Sequence, residues 1–130
     1  MTQRVFVVED DDLLREAVDL ILTHAGYSLA STAVGNGAVN LVARFKPHLV
    51  LLDIRLPDIS GLKLLSALRW SGYKAPILMM TTDSSAETVR DVLALGGNGY
   101  LLKPFEPKDL IGRVRAPLKP ASGAIHYLDD

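Results

Sequence analysis

Apolar segments of strand length and amphipathic segments of helical length alternate five times along this chain of 130 residues. The apolar segments are largely continuous, which is typical of strands that are covered by helices on both faces of a sheet. The amphipathic segments repeat apolar side chains at helical spacing, and the first carries Leu14, Ala17, Val18 and Ile21 on one stripe. This alternation predicts an α/β fold with a doubly wound parallel sheet.

Turn and capping residues place the boundaries of these elements. We expect Asn36 to cap the second helix and Ser60 to cap the third. Ser84 and Glu87 have the spacing of a capping box, which predicts the start of the fourth helix. The five predicted strands cover residues 4–8, 27–32, 48–53, 76–81 and 100–102.

The chain has the length of one domain that buries a core of its own. Pro107 fits the first turn of the last helix, and we expect Pro117 to end that helix early because proline cannot continue it. Residues 119–130 contain Pro, Gly and Ser and have no apolar period. We therefore interpret them as a C-terminal tail or linker that follows a domain of residues 1–118.

Composition excludes several classes of function. Fourteen basic and fifteen acidic residues give a formal net charge of -1, which does not indicate binding to nucleic acid or to an anionic membrane. The chain has no cysteine, so disulfides and thiolate metal sites are excluded. No signal-peptide pattern is present, and no apolar run approaches the ~18 residues of a membrane span. We expect a soluble cytoplasmic domain that binds neither nucleic acid nor membrane.

Charged side chains follow three of the predicted strands at the point where each strand ends. Glu9 and Asp10 follow the first strand, Asp53 ends the third, and Lys103 follows the fifth. Because the carboxyl ends of parallel strands lie along one edge of a sheet, we expect these side chains to share a crevice. Carboxylates gathered there repel one another, and a divalent cation with an ammonium group relieves the repulsion. The pattern predicts a magnesium-dependent aspartyl-phosphate site.

Four motifs at the predicted strand ends carry a family resemblance: VVEDDDLLRE, LVLLDIRLPDISGL, ILMMTT and GYLLKPF, in this order. Together they resemble the receiver domain of two-component response regulators, of the chemotaxis type, over residues 4 to about 116. The resemblance implies a flavodoxin-like, five-stranded sheet of order 2-1-3-4-5 flanked by five helices. It also implies a signalling switch that catalyses only its own phosphotransfer and dephosphorylation.

The resemblance assigns roles to the residues of the crevice. Asp53 matches the phosphoacceptor, which receives its phosphoryl group from a sensor histidine kinase or a histidine phosphotransfer protein. Glu9, Asp10, Asp53 and the backbone carbonyl of Arg55 match the positions that hold Mg²⁺ or Mn²⁺. Lys103 matches the lysine that pairs first with the aspartate and then with the phosphoryl group.

The resemblance also implies how a signal would leave the site. Thr81 matches the hydroxyl that donates to a phosphoryl oxygen, and Tyr100 matches an aromatic ring that then turns inward. The surface of the fourth helix, fifth strand and fifth helix would change for a downstream effector protein or a fused effector domain. Thr82 stands where the family prefers a smaller residue, and its methyl group would narrow access to the site. The Lys103–Pro104 bond is expected to be cis.

Two further positions resemble those that tune the lifetime of the phosphorylated state. Arg55 lies two residues after Asp53, and Asp83 lies two residues after Thr81. Our hypothesis is that Arg55 and Asp83 form an ion pair over the pocket and lengthen this lifetime.

Three other classes of protein fit parts of the pattern. A phosphatase of the haloacid-dehalogenase type would need a second carboxylate two residues after its nucleophile, where this chain has Arg55. A flavin carrier would share the fold, but the acidic run of residues 9–12 would repel a phosphate group. A receiver that binds partners without phosphorylation is the stronger alternative, although such proteins usually lose the acceptor, the acidic pair or the lysine. The sequence identifies neither the kinase nor the target, nor whether the chain is part of a longer protein.

Overall fold

Five strands and five helices alternate along residues 2–118, which are the residues that this computed structural model describes. The strands are β1 (Arg4–Val8), β2 (Ser28–Thr32), β3 (Leu49–Asp53), β4 (Ile77–Thr81) and β5 (Gly99–Leu102). The helices are α1 (Asp12–His24), α2 (Ala38–Phe45), α3 (Gly61–Trp70), α4 (Ala86–Ala94) and α5 (Pro107–Leu118). The predicted α/β alternation is confirmed.

All five strands are parallel and form one sheet of order β2-β1-β3-β4-β5, as expected. At its centre, β1 lies beside β3, with Val8 opposite Leu52. The chain order reverses between these two strands, so the loops that follow them diverge and leave a crevice at the carboxyl edge of the sheet. The residues that follow Val8 therefore lie next to Asp53.

Each face of the sheet carries its own buried apolar cluster. Successive side chains of a strand point to opposite faces, so Val5 and Val7 pack in a cluster with α1 and α5. Phe6 and Val8 pack in a second cluster, which includes residues of α2, α3 and α4. Burial on both faces explains why the strands are continuously apolar in the sequence.

The predicted helix starts are partly wrong. Ser60 caps α3 as expected, but Asn36 does not cap α2. The residue before α2 is Gly37, which has a left-handed φ of 84° and has no side chain that could act as a cap. Ser85, not Ser84, caps α4 and accepts a hydrogen bond from the first turn. In both loops, two adjacent residues belong to the types favoured at helix N-caps, so the local pattern did not decide between them.

The prediction that Pro117 ends the last helix early is wrong, because α5 includes Pro117 and extends to Leu118. A proline in the last turn removes only one backbone hydrogen bond, and the packing of the buried Leu118 side chain favours one further helical residue. The Leu118 carbonyl also accepts a hydrogen bond from the Gln3 side chain at 3.2 Å.

The predicted tail, residues 119–130, lies outside the described residues. From residue 2 to 118, no helix combines the length and apolar character needed to cross a membrane.

Candidate functional site

The loops that follow β1, β3, β4 and β5 meet in one crevice at the carboxyl edge of the sheet. Its volume is about 330 Å³. Seven of the predicted site residues line it: Glu9, Asp10, Asp53, Arg55, Thr81, Thr82 and Lys103. Tyr100, Asp83 and Pro104 are not among its lining residues. The sheet topology thus brings together most of the side chains that the strand-end pattern singled out.

Three carboxylates converge in this crevice. Glu9, Asp10 and Asp53 each offer an oxygen atom, and these atoms lie within 4.8 Å of one another. Glu9 and Asp53 are buried, whereas Asp10 is exposed toward solvent. A set of oxygen donors without imidazole or thiolate suits a hard cation such as Mg²⁺. The residues present therefore fit the cation that the sequence predicts.

The Lys103 ammonium bridges two of these carboxylates. Its Nζ donates to Glu9 Oε1 at 2.7 Å and to Asp53 Oδ2 at 3.1 Å. Burial opposes the charge of Lys103, but the hydrogen bonds to Glu9 and Asp53 outweigh burial and raise the pKa of Lys103. Burial also raises the pKa of Glu9 to about 7, although Lys103 donates to it. One ammonium does not balance both buried carboxylates, so the crevice favours uptake of a further positive charge.

The four acidic side chains that follow β1 make different contacts. Glu9 binds Lys103, Asp11 caps α1 by accepting a backbone N–H at 3.1 Å, and Asp12 accepts a hydrogen bond from Arg15 at 2.7 Å. Among the described residues, the Asp10 carboxylate makes no hydrogen bond or ion pair, and it lines the crevice. Asp10 is therefore the acid of this run whose charge remains available to a ligand.

A tight turn after β3 holds the Asp53 carboxylate and the Arg55 backbone. Asp53 Oδ1 accepts the N–H of Arg55 at 3.1 Å, and Arg55 forms an isolated antiparallel bridge with Ser60. The N–H of Gly61 donates to the Ile54 carbonyl at 2.7 Å. A Cβ at Gly61 would overlap with the backbone oxygen of Asp53, so this close approach requires glycine.

The Thr81 hydroxyl lies at the end of β4 and is buried. Its oxygen accepts the N–H of Asp83 at 2.9 Å, while its contact to the Asp83 carbonyl is long, at 3.4 Å. The hydroxyl proton is thus only weakly engaged and is available to an acceptor in the crevice. Thr82 follows at the crevice wall and is exposed.

The predicted ion pair between Arg55 and Asp83 is wrong. Within residues 2–118, no nitrogen of Arg55 lies within 4.0 Å of an Asp83 oxygen. The Asp83 carboxylate instead accepts hydrogen bonds from the Ser85 N–H at 2.8 Å and from the Thr88 hydroxyl at 2.7 Å. These bonds lower the pKa of Asp83, and the bond from Thr88 has the largest effect. Local donors at the start of α4 outcompete a guanidinium on another loop.

The remaining predicted positions lie beside the crevice. The Tyr100 ring is half-buried on β5, packs against the cluster that includes α2, α3 and α4, and has the Arg113 guanidinium 5.9 Å from its centroid. The Lys103–Pro104 peptide bond is cis. Trp70, at the end of α3, is 93% exposed and is not part of the crevice lining.

Two residues that support the site were not identified from the sequence. Arg15 donates to the Glu9 carbonyl at 2.8 Å. The Asp58 carboxylate accepts the N–H groups of Gly35 at 2.9 Å and Asn36 at 2.6 Å, which joins the loop after β3 to the loop after β2. The bond from Gly35 is the largest cause that lowers the pKa of Asp58. The Pro57–Asp58 turn sequence indicates that the Asp58 side chain binds backbone N–H groups. Nothing in the local sequence indicates that these groups belong to Gly35 and Asn36.

Comparison with known proteins agrees with this geometry. The family model described as "Response regulator receiver domain" matches residues 5–115. The DNA-binding response regulator MtrA of Mycolicibacterium smegmatis is 40% identical over 121 residues, which are 92% of this chain and 52% of MtrA. The cell cycle transcriptional regulator CtrA of Caulobacter vibrioides is 32% identical over 120 residues, again 92% of this chain and 52% of that protein. The chain thus spans about half the length of the curated relatives it matches.

Solved structures extend the similarity to the fold. The Vibrio cholerae chemotaxis protein CheY4 has a TM-score of 0.84 at 32% identity, with 88% of this chain and 98% of that chain covered. The BeF3-activated N-terminal receiver domain of Klebsiella pneumoniae RstA has a TM-score of 0.84 at 31% identity, with 91% and 100% covered. Since the family model covers most of the chain and the strand order and strand-end residues agree with it, the chain belongs to the response regulator receiver domain family.

Proposed function

We propose that this chain is a phosphorylation-dependent switch in which Asp53 accepts a phosphoryl group from a phosphohistidine. The donor would be a sensor histidine kinase or a histidine phosphotransfer protein in the cytoplasm. The observation that carries the proposal is the convergence of the Glu9, Asp10 and Asp53 carboxylates with the Lys103 ammonium at one sheet edge. In the transfer, an Asp53 oxygen bonds to phosphorus while the bond between phosphorus and the imidazole nitrogen breaks, and that nitrogen retains the electron pair.

The residues around Asp53 would orient it for this attack. The Arg55 N–H binds one carboxylate oxygen and Lys103 binds the other, so the plane of the carboxylate is held. Glu9, Asp10, Asp53 and the Arg55 carbonyl would hold Mg²⁺ or Mn²⁺. When bound, this cation supplies positive charge next to the phosphoryl oxygens. Lys103 would offset charge on the opposite side of the acceptor.

Phosphorylation would add roughly -1.5 to -2 charge and new acceptor oxygens at Asp53. The Thr81 hydroxyl and Lys103 are the nearby donors, and Thr81 is linked through the Asp83 N–H to the start of α4. Movement of Thr81 toward the phosphoryl group would therefore shift this loop and allow Tyr100 to turn inward. The surface of α4, β5 and α5 would then change between two states. The Thr82 methyl group would narrow access of water to the acyl phosphate.

The output would be read by a downstream effector protein or by a fused effector domain. MtrA is described as a DNA-binding regulator and is about twice as long as the matched segment. We propose that residues 1–118 form the receiver and that residues 119–130 form a tail or a linker. The receiver itself would bind neither nucleic acid nor membrane. In this assignment, the α4, β5 and α5 surface is the output surface.

The alternative functions have less support. A phosphatase of the haloacid-dehalogenase type would place an acid-base carboxylate at position 55, where this chain has an exposed arginine. A flavin carrier would bind phosphate at the loop after β1, where Glu9 and Asp10 present carboxylates. A receiver that works without phosphorylation would not need the buried ion pairs of Lys103 with Glu9 and Asp53.

Incubation with acetyl phosphate and Mg²⁺, followed by intact mass measurement, tests the proposal. The wild-type chain should gain one phosphoryl group, and Asp53→Asn should gain none because the amide is not a nucleophile for this transfer. Asp91→Asn is the matched control, since Asp91 is exposed on α4 and is not among the residues lining the crevice, and it should be phosphorylated like the wild type. An unmodified wild-type chain, or a phosphorylated Asp53→Asn chain, would contradict the assignment.

A further inference from the structure

Arg15 of α1 reaches back to the loop that carries the acidic run. Its Nη1 donates to the Glu9 carbonyl at 2.8 Å and its Nη2 donates to Asp12 Oδ1 at 2.7 Å. The side chain is 21% exposed. A planar guanidinium holds two acceptors in a fixed relation, which an ammonium does not. One side chain therefore binds the backbone at Glu9 and the 80% exposed side chain of Asp12, on the two sides of Asp10.

The other contacts of this loop leave Asp10 as the residue that Arg15 positions. The Glu9 N–H donates to the Thr32 carbonyl at 3.1 Å, and the Asp11 N–H donates to Glu9 Oε2 at 3.1 Å. The Asp10 carboxylate has no such partner within residues 2–118, but it lies within the 4.8 Å cluster of carboxylate oxygens. Its place in the cluster is thus set by the backbone, and the backbone on its N-terminal side is held by Arg15.

We infer that Arg15 is a positioning residue that fixes the Asp10 loop for a small divalent cation and thereby favours Mg²⁺ over Ca²⁺. The inference rests on the proposed function, because it assumes that the crevice binds Mg²⁺. Mg²⁺ requires a near-ideal octahedron with oxygen ligands at about 2.0–2.1 Å, whereas Ca²⁺ accepts six to eight ligands at about 2.3–2.6 Å in flexible geometry. A loosened Asp10 loop therefore weakens Mg²⁺ binding more than Ca²⁺ binding.

A purely electrostatic role of Arg15 predicts the opposite change in Mg²⁺ affinity. Arg15 carries a positive charge beside a cation site, so its removal should strengthen the binding of any divalent cation. Because Mg²⁺ and Ca²⁺ carry the same charge, the two affinities should rise by similar factors. The direction of the change, together with the ratio of the two affinities, distinguishes a positioning role from a purely electrostatic role.

Calorimetric titration of the full chain with MgCl₂ and with CaCl₂ tests the inference. Arg15→Gln should weaken Mg²⁺ binding about tenfold or more, the range found for residues that orient metal ligands. Ca²⁺ binding should fall by a much smaller factor. Arg15→Lys keeps the charge but not the planar geometry, so it should lower the Mg²⁺ to Ca²⁺ affinity ratio in the same direction. Arg55→Gln is the control, because the exposed Arg55 side chain lines the crevice without a hydrogen bond among the described residues. This variant should raise the affinities for Mg²⁺ and for Ca²⁺ by similar factors.

Far-UV circular dichroism and urea unfolding establish that each variant is folded before titration. If Arg15→Gln does not fold, the affinity ratio of Arg15→Lys decides the matter. Unchanged or stronger Mg²⁺ binding in the variants, or equal losses for both cations, overturns the positioning role. If the wild-type chain itself binds no Mg²⁺, the proposed function fails. If the wild-type chain binds Mg²⁺ and the variants keep its selectivity, only the positioning role of Arg15 fails.

Discussion

Replacement of Glu9 by glutamine should stabilise the cation-free protein at pH 8. The Glu9 side chain is 1% exposed and shares one ammonium with Asp53, so its ionised form is poorly compensated. Burial raises the pKa of Glu9 from 4.5 to about 7. The folded protein therefore binds a proton that the unfolded chain has released, and the free energy of unfolding falls as pH rises from about 4.5 to about 7.

The size of the effect follows from the pKa shift and one hydrogen bond. A shift of about 2.5 units corresponds to roughly 3 kcal/mol of lost stability once Glu9 is ionised in both states. Glutamine avoids this loss, but its amide faces two donors, Lys103 and the Asp11 N–H, and has only one oxygen to accept them. The lost hydrogen bond costs about 1 kcal/mol, so the expected net gain is about 2 kcal/mol.

Urea unfolding followed by far-UV circular dichroism, in EDTA at pH 5 and pH 8, measures this difference. The gain should be about 2 kcal/mol at pH 8 and should vanish near pH 5, where folded Glu9 is protonated. The raised pKa of Lys103 does not interfere, since the stability it contributes is lost only in strongly alkaline solution. Glu16→Gln, on the exposed face of α1, is the matched control and should change stability by less than about 0.5 kcal/mol. A Glu9→Gln protein less stable than the wild type at pH 8 would refute the reasoning, because the ion pair would then outweigh the burial cost.

Three other results are expected. Mg²⁺ affinity should rise between pH 5 and pH 8, because a proton on Glu9, whose pKa is raised to about 7, competes with the cation; calorimetry at each pH measures this, and a flat profile would contradict it. Gly61→Ala should destabilise the protein by about 2 kcal/mol or more, because the new Cβ overlaps with the Asp53 backbone oxygen. The control Gly112→Ala, with open space at its Cβ in α5, should be neutral or more stable by up to about 1 kcal/mol in the same urea assay, and equal effects would be inconsistent with this contact. Addition of Mg²⁺ should quench the fluorescence of Trp70 only weakly, since that side chain is 93% exposed and outside the crevice; strong quenching would show that the end of α3 moves with the site.

The sequence by itself determined the sheet and the position of the site along the chain. Buried parallel strands are continuously apolar, and the charges at the ends of three of the five strands mark the carboxyl edge of the sheet. Asp53 and Lys103 could be located in this way because both signals lie within a few residues of the side chain concerned. The same local signals gave the alternation of strands and helices and the family resemblance.

The exact starts and ends of helices were less certain from the sequence. Adjacent serines at 84 and 85 have the same capping chemistry, and only the loop geometry selects Ser85. Pro117 indicates a helix end by its covalent structure, yet packing of the buried Leu118 side chain makes one more helical residue favourable. The two serines differ in no local preference, whereas at Pro117 packing outweighs the local preference to end the helix.

Only the tertiary structure decided which charges pair. The pair of Lys103 with Asp53 was expected from the resemblance, but its bond to Glu9, 94 positions away, was not. Asp83 binds the start of α4 rather than Arg55. Sequence pattern shows that such groups share an edge, but the choice among partners depends on differences of about an ångström in donor–acceptor distance. Those distances are fixed by strand order and loop geometry, which couple segments far apart in the chain.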